Sequence, residues 1–200
     1  PDYYLPKQLG SSNTFWIALY GNLLSPTRGI LVYSPYLFLT LAGVVYFFRS
    51  LCQNSLFGIM LGWSFLHLLL IARNTMWWGG GCYGSRLFAD VLPALLLLTV
   101  FIWNKILLLR SLWLCRIFSV IFMILTGIGV LMNTYQGLYN ISTKTWYHVP
   151  SGIHEDYLFD WKYPPFLASR NQLRERSLEY KIHRLEPYPL GEQILPDNRY

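Results

Sequence analysis

Ser55-Leu-Phe-Gly-Ile-Met-Leu-Gly-Trp-Ser-Phe-Leu-His-Leu-Leu-Leu-Ile-Ala-Arg73 runs for 19 residues with no acidic group and no Lys or Arg before its last position. A helix rising 1.5 Å per residue needs roughly 20 such residues to cross about 30 Å of hydrocarbon. Three further apolar segments stand beside it, 30–48, 87–103 and 116–132, each of 17 to 19 residues. Together they predict an all-α integral membrane protein with about four transmembrane helices. Its organisation would be an external or interfacial segment 1–25, a four-helix region 26–133 and an external, partly irregular tail 134–200.

Composition agrees. Hydrophobic residues make up 54% of the chain and charged residues 13%, about half the charge of an average soluble domain. The net charge of +6 raises the question of nucleic acid, but eight of the sixteen Lys and Arg lie beyond Tyr139 and the others flank apolar segments. No basic stripe with interleaved aromatics is left to bind nucleic acid. Cys52, Cys82 and Cys115 show no CxxC spacing, and their odd number excludes complete internal pairing. They read as small hydrophobes. The chain opens at Pro1 without an initiator Met or the zones of a signal peptide, so an excerpt from a longer protein is expected.

Lys and Arg in short loops are held on the cytoplasmic side. The loop 49–54 with Arg49 and the loop 104–116 with Lys105, Arg110 and Arg116 therefore face inward, and 74–86, the first 25 or so residues and the tail face outward. Trp77, Trp78, Trp103, Trp113 and Tyr135 fall at segment ends, where amphipathic rings favour the headgroup layer. Ser25-Pro26-Thr27-Arg28-Gly29 reads as a helix start, with Ser as cap and Pro in the first turn. Pro35 and Pro93, each about two turns into a segment, predict kinks. In the tail, Leu178, Ile182 and Leu185 recur at helical spacing within the charged stretch 168–186 and predict a short surface helix.

The external loop reads Asn74-Thr-Met-Trp-Trp-Gly-Gly-Gly-Cys-Tyr-Gly-Ser-Arg86. It formally contains GxGxxG, but a dinucleotide fingerprint needs a preceding strand, and here a membrane helix precedes it. Backbone N–H groups of Gly80 and Gly81 can still converge on an anion, with Arg86 supplying a planar fork for phosphate oxygens. A tight turn whose arginine snorkels to headgroups explains the same residues. Asp90, one turn below Arg86, is placed to pair with it. Arg28 in a first helical turn would oppose the helix dipole, a conflict that a bound phosphate relieves. Arg28, Arg73 and Arg86 thus form a candidate cationic rim for a lipid phosphate, with ordinary headgroup binding as the simpler account. On the second segment Ser64, His67 and Asn74 make a polar stripe, and His67 reads as a structural residue more readily than as a ligand or proton carrier.

The tail residues His148, His154, Glu155 and Asp156 match no compact metal-ligand pattern, and no metal or cofactor is expected. GxSxG, HExxH, P-loop and DxDxDG sequences are absent. Asn140-Ile-Ser142 is a formal glycosylation sequon.

Four stretches are familiar as a set: Leu24-Ser-Pro-Thr-Arg-Gly29 followed by Tyr33-Ser-Pro35, Trp78-Gly-Gly-Gly-Cys-Tyr-Gly-Ser-Arg86, Asp90-Val-Leu-Pro93, and Asp160-Trp-Lys-Tyr-Pro-Pro-Phe-Leu167. They resemble the C-terminal half of bacterial multi-pass membrane glycosyltransferases of the GT-C, protein-mannosyltransferase-like group, over roughly residues 24–167. The resemblance implies a polyprenyl-phosphate-linked sugar donor, membrane lipid as surroundings, an acceptor of unknown identity, and residence in the bacterial inner membrane with the tail outside. Arg28, Arg73, Trp78, Gly80, Gly81, Arg86 and Asp90 then become the substrate-binding wall, with Trp77 and Trp161 as further platforms. The group's catalytic carboxylate lies in a first external loop near the N-terminus; this sequence holds no match to it, so the catalytic residues stay unassigned and the fragment alone is expected to be inactive. The rival classes are a noncatalytic membrane assembly subunit and a lipid or sugar transporter. A transporter would place polar residues near midplane in several spans, whereas here they crowd the external ends.

Overall fold

The computed structural model describes residues 12–74, 76–79, 82–108, 112–146 and 158–185. All regular structure among these residues is helical. The helices are α1 (Ser12–Leu24), α2 (Ile30–Tyr33), α3 (Leu37–Leu51) and α4 (Ser55–Ala72), then a 3-10 turn (Arg86–Val91) running into α5 (Leu92–Leu107). They are followed by α6 (Leu112–Leu131), a π-helical segment (Met132–Tyr139), α7 (Ile141–Trp146), a 3-10 turn (Pro165–Leu167) and α8 (Arg170–Leu185).

Among the described residues, three helices are long and apolar enough to cross a membrane: Ser55–Ala72, Arg86–Leu107 and Cys115–Tyr139. The expected span at 30–48 falls short of that length. Pro35 has no N–H and its ring clashes with the carbonyl four residues back, and Ser34 leaves the helix at φ −133, ψ 66. The expected kink is therefore a break, leaving α2 with 4 residues and α3 with 15. Pro93 acts differently. It sits in the first turn of α5, where its missing N–H is tolerated, and the residues before it tighten into the 3-10 turn.

Within the first segment, α1 packs against α4. Its signal was present in the apolar run from Phe15 to Leu24. The predicted tail helix is α8.

Two apolar clusters hold the bundle. One gathers Ile71, Trp77, Phe88, Val91 and Leu158 at one end, and the other gathers Val44, Phe57, Leu98 and Ile102 along α3, α4 and α5. Gly43 lets α3 approach α5 so closely that a Cβ there would collide with Ile102. Asn54 caps α4 by accepting from the N–H groups of Leu56 and Phe57 at 3.0 and 3.4 Å. This sharp 52–54 connection places 25–36, 73–91 and the tail at one end of the bundle. At the other end Lys105 Nζ donates to Ser50 Oγ across 2.7 Å. Helix α6 is peripheral: the stretch Cys115–Tyr139 is almost wholly unburied, and Phe122 meets Trp103 and Tyr36 edge-on at 5.0 and 5.7 Å.

Candidate functional site

The motifs singled out in the sequence converge at this end. Residues 25–29 form a turn rather than a helix start: Ser25 Oγ accepts from Thr27 N at 3.1 Å, and Gly29 N donates to Ser25 O at 2.8 Å. A Cβ at Gly29 would stand 2.7 Å from Ser25 O, so the turn admits only glycine. The Ser25 and Thr27 hydroxyls both contact the carbonyl of Leu158, Thr27 at 3.1 Å, and fasten the tail over the turn. Arg28 is 3% exposed beneath this cover, with Nη1 directed at Gly84 O, 3.5 Å away. The dipole conflict expected at Arg28 does not arise, because the helix begins only at Ile30 and lasts one turn.

Tyr33 is the hub. Its hydroxyl donates to Pro26 O at 3.0 Å, and its ring meets Tyr83 and Phe166 edge-on at 5.0 and 6.1 Å. Gly84, at φ +68, lies against that ring. A left-handed backbone with so close a neighbour favours glycine. Tyr83 in turn donates to Met132 O at 2.8 Å, a carbonyl of the π segment, and passes Gly137, where a Cβ would sit 2.9 Å from its ring. Asn133 Nδ2 donates to Tyr33 O at 2.8 Å. The glycine loop, the 25–36 turn region, the end of α6 and the tail are thereby one packed unit.

The remaining expected site residues are distributed otherwise. Arg73 is exposed, its guanidinium 5.6 Å from the Phe15 ring centre. Arg86 is exposed, with Nη1 2.8 Å from Cys82 Sγ. It forms no ion pair with Asp90, which is also exposed. Residues 86–91 are 3-10 helical, so neighbours eclipse at three residues and those four apart diverge. The rim is thus one buried arginine with two on the outside. Trp78 is half-buried and edge-on to Trp77 at 5.9 Å. Trp77, expected at the headgroup level, is core: 1% exposed, with a ring that a Cβ at Gly21 would strike. Trp161 is 55% exposed. Gly80 and Gly81 lie outside the described residues, as do His148, His154, Glu155 and Asp156.

His67 Nε2 stands 2.7 Å from Leu87 O. A carbonyl only accepts, so Nε2 carries the proton and His67 braces the 3-10 turn against α4. Asn140 is likewise structural: its Nδ2, the atom a sugar would take, donates to Gln136 Oε1 and Ala168 O at 2.6 and 2.9 Å. None of the three cysteines forms a disulfide, and no group of three metal-ligating side chains occurs among the described residues.

From Ile30 and Leu31, two and three residues along the chain from Arg28, the bundle opens into a cleft of about 160 Å³ that passes Phe88 and Val91 to Val44 and Leu98. No linear pattern marked it, because it is shared among α1 to α5 and the 3-10 turn. Its polar liners are Thr40 and Ser64. Both are engaged, Thr40 with Thr99 Oγ1 at 2.9 Å and Ser64 with Met60 O at 2.8 Å.

No family model, curated protein or solved structure matches this chain. Its class therefore rests on its own geometry: among the described residues all regular structure is helical, with three helices of membrane-spanning length and apolarity.

Proposed function

We propose that this chain is the C-terminal part of a polytopic inner-membrane glycosyltransferase that transfers a sugar from a polyprenyl-phosphate carrier to an acceptor outside the membrane. One observation carries the reading: Arg28, buried in a turn that meets Gly84 and is fastened to Leu158, lies two residues along the chain from Ile30, which lines an apolar cleft. A lipid phosphate has those two parts, an anion and a branched apolar chain. Fixed positive charge in a water-poor site stabilises a departing phosphate far more than it would in water.

In this reading α2 and α3 together make the fourth crossing, and the exposed apolar faces of α4 and α6 meet lipid. The end bearing Arg49, Lys105 and Arg116 is cytoplasmic by the distribution of positive charge, which puts the cleft mouth and tail outside. Arg28 holds the carrier phosphate. Arg86 and Arg73 receive it from the outer side, Trp78 offers a face to the sugar, and Asp90 borders the approach. The catalytic carboxylate belongs to a part of the protein other than these residues.

The test is sugar transfer from a polyprenyl-phosphate donor in membranes holding the whole protein. Arg28→Gln should lower turnover by about 100-fold or more, the scale of losing one preorganised donor. Arg28→Lys, which keeps charge but not the planar fork, should fall between. Unchanged transfer in a folded Arg28→Gln protein would remove Arg28 from the site, and absence of transfer by the wild-type protein with any carrier-linked sugar would overturn the reading.

A further inference from the structure

We propose that the apolar cleft reads only the first one or two isoprene units next to the carrier phosphate, so that the protein selects the head of its lipid substrate and is indifferent to chain length. The inference rests on the carrier reading above and adds a specificity to it.

Two dimensions of the cleft set this limit. Its walls span Leu37 to Val44 on α3, Leu61 to Leu68 on α4 and Val91 to Leu98 from the end of the 3-10 turn into α5. Each is a run of seven steps, about 10 Å at 1.5 Å per residue. An extended chain advances about 1.2 Å per bond, since three backbone bonds cover about 3.6 Å. An isoprene repeat of four bonds is then about 5 Å long on the same scale, and the walls hold about two. The volume is stricter. A cleft of about 160 Å³ is near the size of an apolar protein cavity of about 150 Å³ that takes one benzene, which corresponds to a single repeat.

Gly43 packs onto Ile102 with no room for a Cβ, and the Thr40–Thr99 hydroxyl pair bridges α3 and α5 at the same level. Apart from the Thr40 and Ser64 hydroxyls, whose protons go to Thr99 Oγ1 and Met60 O, the lining is apolar. The rest of a long chain therefore has to leave the cleft and lie along the outside of the bundle, where α4 and α6 present apolar side chains as lipid does. A segment that exchanges lipid contacts for equivalent ones adds little affinity.

The experiment measures competition by isopentenyl, geranyl, geranylgeranyl and undecaprenyl monophosphates against a fluorescent prenyl phosphate, on the whole protein in nanodiscs, with inorganic phosphate as the headgroup control. The expected result is affinity rising from isopentenyl to geranyl phosphate and level within about twofold thereafter, with inorganic phosphate at least tenfold weaker than geranyl phosphate. Leu98→Phe, which fills the inner end of the cleft, should weaken geranyl and undecaprenyl phosphates equally and leave inorganic phosphate unchanged. Its folding is checked by an unshifted melting temperature, and Val44→Phe serves if Leu98→Phe melts early. Affinity climbing steadily through undecaprenyl phosphate would overturn the short subsite while leaving the carrier reading intact. Binding of inorganic phosphate as tight as that of geranyl phosphate would also overturn it, because the cleft would then contribute nothing. No binding of any prenyl phosphate would overturn both.

Discussion

Replacing Thr99 by valine carries a sign dictated by the hydroxyl pair beneath the cleft. Thr99 Oγ1 donates to Leu95 O across 2.9 Å and also stands 2.9 Å from Thr40 Oγ1. A hydroxyl has one proton, so Thr40 must be the donor of the pair and Thr99 the acceptor. Thr99→Val strips Thr40, 3% exposed, of its acceptor, and an orphaned buried donor costs about 1–3 kcal/mol. Thr40→Val leaves Thr99 its bond to Leu95 and forfeits one neutral hydrogen bond, about 0.5–1.5 kcal/mol. The double variant orphans nothing and should lie within about 1 kcal/mol of the parent, since replacing both partners by apolar groups of the same shape is nearly neutral. The expected order is therefore parent, double variant and Thr40→Val close together, with Thr99→Val the least stable. Equilibrium unfolding in mixed micelles, followed by tryptophan fluorescence, reads all four. Additive single effects, or a Thr40→Val protein weaker than Thr99→Val, would refute the donor assignment.

Gly43→Ala forces a methyl into Ile102 and should destabilise the bundle by about 1–3 kcal/mol, the usual scale of overpacking; pairing it with Ile102→Ala should recover the space and raise the melting temperature above that of Ile102→Ala alone. Tyr83→Phe removes the 2.8 Å bond to Met132 O, a loss of about 0.5–1.5 kcal/mol, and amide exchange should quicken locally in 132–139 while α4 stays protected. Arg176 is buried with its guanidinium 3.7 Å over the Trp146 ring and Nη1 donating to Trp146 O at 2.8 Å. Arg176→Met forfeits a charged hydrogen bond of about 1.5–3 kcal/mol, so limited trypsinolysis should cut α8 faster with the melting of the bundle unchanged. Arg86→Ala, at an exposed position, should shift stability by no more than about 0.5 kcal/mol, and a larger drop in the unfolding midpoint would show that Arg86 has a packing role.

The helices were legible where one period governed the chain. The uninterrupted apolar run 55–73 and the spacing of Leu178, Ile182 and Leu185 gave α4 and α8 within a few residues. Boundaries failed where proline acted, because Pro35 and Pro93 look alike in sequence yet one breaks a helix and the other starts one. Which occurs depends on whether the preceding carbonyls find partners, and Tyr33 O finds Asn133 a hundred positions later. The 24–29, 78–86 and 160–167 stretches stood out in the sequence, but the depths of their residues did not. Arg28 is inside because the Leu158 carbonyl closes over it through Ser25 and Thr27, a contact no local pattern encodes. The Arg86–Asp90 pair presumed α-helical spacing that the 3-10 turn withdraws. Trp77 presumed an interfacial ring, whereas Gly21 leaves the gap that draws it into the core.

The central claim is that a lipid phosphate is held at Arg28 with its chain in the adjoining cleft. Photolysis of a polyprenyl phosphate bearing a diazirine on its phosphate-proximal isoprene unit, with the protein in native-like membranes and adducts mapped by mass spectrometry, tests it most directly. Adducts on Ile30, Leu31, Phe88 or Val91 that unlabelled carrier competes away are the expected result. Adducts confined to the exposed face of α6, such as Met123 and Val130, and insensitive to competitor would contradict it.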